Sequence, residues 1–165
     1  MLTNPITVRE ATVADILFLR AMIWEAILAS PTEITRLGIE QFQQLEDQYW
    51  SRWVEYPDPA FIAQNAAAQP LGALTLKRND QHVPVQSWRI GIGVTAQARG
   101  QGVGRHLIER AISFAREQQA TAVSLFVDPT NVHAQGLYRR TGFVVSGERD
   151  GLIEMHVLLG EKTTH

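Results

Sequence analysis

The 165-residue chain has no cysteine. Disulfides, thiolate metal sites and a cysteine nucleophile are therefore excluded, and an acyl group moved by this protein cannot pass through an enzyme thioester. The absence agrees with a reducing cytoplasm, the expected location. Long apolar runs are missing too: none approaches the roughly 18–20 residues that span a bilayer, so no membrane partner is expected. The opening Met1–Pro5 has neither the basic flank nor the apolar run of a secretory leader. An excess of one charge is also lacking. At a formal net charge of −2, no nucleic-acid partner is indicated. The five histidines, at 82, 106, 133, 156 and 165, show neither His-x3-His nor His-Glu-x2-His spacing, and no metal site is expected.

What is present is the apolar content of an ordinary globular protein, 45% of residues. One domain over residues 1–165 is expected, because no linker, repeat or low-complexity segment interrupts the chain. Ile6-Thr7-Val8-Arg9 alternates like a strand. Thr12 stands three residues before Asp15, a capping-box-like entry to a helix over 13–29 that Ser30-Pro31 ends. A second helix is predicted over 39–54. Short strands follow at 61–64 and 71–77, joined as a hairpin, then a polar loop and a strand over 86–94. Gly91 and Gly93 inside that strand mark a bulge or a close backbone approach. A helix over 103–118, a buried strand over 122–127 and a short helix over 132–141 lead to a terminal strand pair, 143–146 and 152–159. Mixed elements in this order predict an α/β-type sheet covered by helices.

The most informative stretch runs from Val94 through Arg99-Gly100-Gln101-Gly102-Val103-Gly104-Arg105. It leaves a strand, passes three alternating glycines and enters an amphipathic helix. Backbone N–H groups at such a junction lack intrahelical partners and point outward at the positive end of the helix dipole. A phosphate can approach where no Cβ stands in the way. The nucleotide loop Gly-x4-Gly-Lys-Ser/Thr is absent, since no such lysine follows these glycines. A loose dinucleotide pattern, Gly91-Ile92-Gly93-Val94-Thr95-Ala96, has no helix starting at it.

Arg99–Gly104 instead resembles motif A of the GNAT superfamily of N-acetyltransferases, Gln/Arg-x-x-Gly-x-Gly/Ala. Downstream, Asn131-Val132-His133-Ala134-Gln135-Gly136-Leu137-Tyr138, continuing to Gly142-Phe143, resembles the family's Asn-x-x-Ala-x-x-Leu-Tyr-x-x-x-Gly-Phe segment. The opening Val8–Thr12 with Asp15, and the closing Glu154–Leu158, are similar to the family's first and last elements. The resemblance spans essentially the whole chain.

It implies a GNAT fold, an α+β arrangement in which a mixed, mostly antiparallel sheet splays into a V flanked by about four helices. It also implies acetyl-CoA as cosubstrate and a small-molecule or peptide amine as acceptor, with a homodimer left open. The strands at 86–94 and 122–127 would separate at one end, through a bulge at Gly91 or Gly93, and admit the pantetheine arm along Ile92 and Val94 like an added strand. A backbone N–H near Val94 would hold the oxyanion that develops on the thioester carbonyl. Arg99, Gly100, Gln101, Gly102, Val103, Gly104 and Arg105 would cradle the pyrophosphate, and Asn131 and Ala134 would border the pantetheine. Tyr138 is the expected general acid for the departing thiolate, against the plainer reading of a packed tyrosine. Asn131 is equally suited to cap the helix that follows it. Arg139 and Arg140 read as solvated surface arginines.

One expected feature is missing. Many relatives place a glutamate on the strand before motif A to deprotonate the amine, whereas this chain has Ser87, Trp88 and Arg89 there. A water chain or a carboxylate from another segment has to serve. The missing carboxylate also favours the rival reading, a non-catalytic acyl-CoA-binding or sensing module of the same fold. In the aromatic-rich first half, Trp24, Tyr49, Trp50, Trp53 and Tyr56 are candidates for an acceptor pocket, and equally for core.

Overall fold

The computed structural model describes residues 5–79 and 87–160. The sheet has seven strands: β1 (Thr7–Glu10), β2 (Ala60–Gln64), β3 (Pro70–Arg78), β4 (Ser87–Val94), β5 (Ala122–Val127), β6 (Val144–Arg149) and β7 (Leu152–Leu158). Their spatial order is β1-β2-β3-β4-β5-β7-β6. Every neighbouring pair is antiparallel except β4 with β5. That parallel pair is short: Ser87, Trp88 and Arg89 meet Ala122, Val123 and Ser124, and pairing then stops. From Ile90 on β4 and Leu125 on β5 the two strands run on without bonding each other, so the sheet is split at its centre.

The expected bulge does not cause the split. The β3–β4 register is unbroken from Gly72↔Val94 to Arg78↔Trp88, straight through Gly91 and Gly93. The glycines serve close approach instead. A Cβ on Gly93 would collide with the carbonyl oxygen of Met22, and one on Gly91 would lie 3.2 Å from Thr75 Oγ1. Missing side chains on this face of β4 let a helix settle directly against the strand.

Five α-helices occur among the described residues: α1 (Ile16–Leu28), α2 (Pro31–Leu37), α3 (Ile39–Glu55), α4 (Val103–Glu117) and α5 (Val132–Arg140). The entry to α1 is as expected: the Asp15 carboxylate accepts from Thr12 N at 2.9 Å and from the two terminal guanidinium nitrogens of Arg9 at 2.7 and 2.8 Å. The difference is α2. Pro31 does not only end α1; it is the first residue of a new helix, where a missing N–H costs nothing. β6 also runs further than expected, through Gly147 to Arg149, with a register shift between Val145 and Gly147.

Strand alternation divides the core between the two faces. Phe61, Leu74, Leu76, Val123 and Leu125 point to the side covered by α4 and α5. Ile62 and Ala73 point to the other, where Leu19 and Met22 of α1 and Trp50 and Trp53 of α3 pack. Helix α4 lies across β1–β5 and buries Val103, Leu107, Ile108, Ala111, Ile112 and Ala115 on one stripe. No described helix is long and apolar enough to cross a membrane, and no described cluster of His, Asp and Glu could hold a metal ion.

Candidate active site

The glycine-rich junction lies on the α4 side, at the open end of β4. Thr95 N bonds Leu71 O at 2.9 Å, and a single 3-10 turn, Ala96–Ala98, leads to Arg99. Gly100 and Gly102 both have positive φ, 78° and 85°, a conformation that other residues enter at a cost. Gly102 is the N-cap of α4, and no side chain caps this helix. A Cβ on Gly100 would meet nothing within 4 Å, and one on Gly102 would come no nearer than 3.8 Å to His106 Nδ1. The 15-residue helix thus starts without a side-chain cap, beside open space at Gly100 and Gly102.

That cradle suits a pyrophosphate. Donors and the helix dipole are supplied by backbone alone, and the space a Cβ would fill is empty. Around it Arg99, Gln101 and Arg105 are exposed, with Arg105 Nε on Glu109 at 2.8 Å and Gln101 Nε2 on Gln97 O at 3.1 Å. Gly104 has a different local reason. It is buried, and a Cβ there would lie 2.9 Å from Leu137 Cδ2, so the glycine lets α5 pack against the start of α4.

This contact brings the two distant motifs together. Ile92, Val94, Val103, Ala134, Leu137 and Tyr138 share one hydrophobic cluster. Asn131 caps α5, its Oδ1 accepting from Ala134 N at 3.1 Å, and its amide nitrogen is left for another acceptor. Tyr138 is 7% exposed, with its ring 6.0 Å from that of Phe143. Its hydroxyl bonds no described residue. Burial pushes the phenol up to about 12. It is therefore fully protonated at neutral pH. Arg139 and Arg140 are exposed.

The opposite face of the split carries a cavity of about 500 Å³ between α1, α2, α3 and the sheet. Its floor is Thr75, Lys77, Arg89 and Gly91, with Phe126 across the gap on β5. Of the aromatic candidates, Tyr49 and Trp50 reach this cavity; Trp53 is core, Trp24 stacks on Phe42 at 5.1 Å, and Tyr56 is exposed. Three carboxylates absent from the sequence reading, Glu33, Glu46 and Asp150, stand on the wall. Each has an arginine: Glu33 and Asp150 share Arg36 at 2.9 and 3.9 Å, and Glu46 meets Arg20 at 3.4 Å. Lys77 and Arg89 were also missed. The available signal was Lys77 and Arg89, cations on two largely apolar strands.

A buried carboxylate fixes the cavity's outer wall. Asp128, just past β5, accepts from Thr130 N and Oγ1 at 2.9 and 2.7 Å, and from Ser30 Oγ and Thr32 N at 3.0 and 3.2 Å. Burial alone would raise it, but these bonds prevail and hold it well below the ordinary carboxylate range. It also places negative charge at the N-terminus of α2.

The family comparison agrees with this geometry. Residues 21–143 match the model of the acetyltransferase (GNAT) family. The chain belongs to that family. It is 32% identical over 114 residues to the peptidyl-lysine N-acetyltransferase YjaB of Escherichia coli, covering 69% of this chain and 67% of that protein. To the mycothiol acetyltransferase of Paenarthrobacter aurescens it is 33% identical over 103 residues. That match takes in 61% of this chain and 31% of the relative, so the chain spans under a third of that protein's length. Among solved GNAT-fold structures, yncA of Salmonella typhimurium, determined with its cofactor acetyl-CoA, superposes with a TM-score of 0.73 at 18% identity over 98% of both chains.

Proposed function

We propose that this GNAT protein transfers the acetyl group of acetyl-CoA to a primary amine by direct attack in a ternary complex. The observation that carries the reading is the uncapped start of α4, with Gly100 and Gly102 in left-handed conformations facing open space, at the mouth of the unpaired β4 stretch. Arg99–Arg105 hold the pyrophosphate, and the free backbone of Ile92 and Val94 pairs with the pantetheine arm. Asn131 donates its spare amide N–H to that arm. The Val94 N–H is the donor for the charge that develops on the carbonyl oxygen.

The amine enters from the cavity side. Its nitrogen lone pair forms the C–N bond, the C–S bond breaks, and the sulfur leaves with the electron pair. Tyr138 donates a hydrogen bond to that sulfur. An easy transfer from phenol to free thiolate is not available: a thiol near 8.5 is the stronger acid, and burial of Tyr138 widens the gap. The sulfur is protonated at the expense of the acylated nitrogen, which becomes strongly acidic on C–N bond formation and passes its proton through water to the thiolate. The net products are the acetamide and the free thiol of coenzyme A.

Isothermal titration tests the core of this reading. Coenzyme A binds and NAD does not; comparable NAD binding, or none of coenzyme A, ends it. Thiol release over a panel of amines separates an enzyme from a sensing module of the same fold, which would bind coenzyme A without turnover.

A further inference from the structure

The cavity on the α1–α3 side presents donors that lack acceptors. Lys77 and Arg89 are direct partners across β3 and β4, so their Cβ atoms sit about 5 Å apart, and both face the cavity. Like charges opposed across a sheet are destabilising. Neither cation forms a hydrogen bond or ion pair with a described residue. They rest on ring faces instead: Lys77 Nζ is 3.9 Å from the centre of Tyr49, and the Arg89 guanidinium carbon 5.7 Å from that of Phe126. Trp50 lines the same cavity, but its unpartnered indole N–H is buried and is not offered to it.

The neighbouring carboxylates do not answer these donors. Glu33, Glu46 and Asp150 are held by Arg36 and Arg20. Asp58 accepts from the Tyr49 hydroxyl at 3.1 Å. Burial and the Arg89 charge together pull Lys77 below an ordinary lysine, opposed only in part by Asp58. Two neighbouring cations without an anionic partner call for a ligand group that only accepts and carries negative charge.

We infer that the acceptor is a primary amine bearing a carboxylate, anchored by Lys77 and Arg89 on the cavity floor. The inference rests on the acetyl-transfer reading and names its substrate class. A polyamine would bring more positive charge to a floor that already has too much. The same two cations disfavour the ammonium form of a bound acceptor, so its proton passes to water more readily than it would in bulk solvent. That compensates for the missing glutamate on β4.

The test measures thiol release by the full chain with acetyl-CoA and matched acceptors: each L-amino acid beside its decarboxylated amine, with spermidine as a cationic control. At least one carboxylated acceptor is expected to exceed its decarboxylated partner by about ten- to hundred-fold in kcat/KM, the range of hydrogen bonds to a charged group. In Lys77→Met and Arg89→Gln that ratio should fall to within a few-fold of unity. The loss should come through KM, with coenzyme A affinity unchanged. Because the ratio is taken within one preparation, partial unfolding of a variant cannot mimic the result. Spermidine or a decarboxylated amine turned over as well as every acid overturns the inference. So does a panel in which no acid is turned over, or a ratio unaffected by both substitutions. If coenzyme A does not bind, the acetyl-transfer reading itself fails, a separate outcome.

Discussion

The two faces of the split sheet are built by different means. On the α4–α5 side the site is backbone: two left-handed glycines, an uncapped helix and an unpaired strand edge, with side chains used mainly to pack. On the α1–α3 side the site is side chains: Lys77 and Arg89 beneath, Trp50 and Tyr49 beside them, and paired carboxylates on the wall. A backbone site recognises what every member of a family binds, since it needs only glycines and a helix start. A side-chain site is free to change with the acceptor. Substitutions on the first face should abolish cofactor use, and those on the second should redirect or destabilise.

The largest effect belongs to Gly102→Asp. It adds bulk and negative charge to the proposed pyrophosphate cradle, and titration should show no coenzyme A binding. Gly102→Asn tolerates the left-handed conformation without the charge and should retain measurable affinity. If the aspartate variant binds normally, the phosphate is held elsewhere.

Next is Gly93→Ala, on the other face. Its methyl group collides with the Met22 carbonyl oxygen, so α1 has to move off the sheet. Overpacking of this kind costs about 3 kcal/mol, read as a lower urea midpoint. Unchanged stability would mean that α1 is not seated as closely as described.

Tyr138→Phe keeps the ring and removes the hydroxyl. Folding and coenzyme A affinity should change little, while kcat at saturating acceptor falls about 10²-fold, the size expected for losing one positioned hydrogen bond to developing charge. Full activity in the folded variant would show that water serves the thiolate and that Tyr138 only packs.

Asp128→Asn tests what ties the faces together and should lower stability by about 2 kcal/mol at pH 7, since its hydrogen bonds lose their charge. Because the folded carboxyl titrates below its unfolded value, its contribution is present above about pH 4 and lost as pH falls through the folded pKa. Melting curves of the two proteins should therefore converge on acidification. Parallel curves across that window would remove the carboxylate from the account.

The backbone face was legible in the sequence because its determinants are local. The spacing of Gly100, Gly102 and Gly104, and the Asn131–Phe143 segment, can be read without knowing what lies nearby. The other face depends on contacts far apart in the chain. Pro31 looked like a stop because the group that helps order α2, Asp128, is 96 residues from Thr32. Gly93 allowed both a bulge and a close approach, and only the position of Met22 decides between them. Alternation could assign Lys77 and Arg89 to faces of their strands. It could not bring them side by side, because that register is set between two separate strands, β3 and β4.

The three-residue seam between β4 and β5 also has a mechanical consequence. Four strands lie on one side of it and three on the other, each set continuously bonded within itself, so the sheet is two plates sharing a short weld. Helix α4, laid across β1–β5, is the brace. The pantetheine arm proposed to lie along β4 would be a stitch across that gap: on coenzyme A binding, amide exchange should slow on both plates and the melting temperature should rise with the logarithm of ligand concentration.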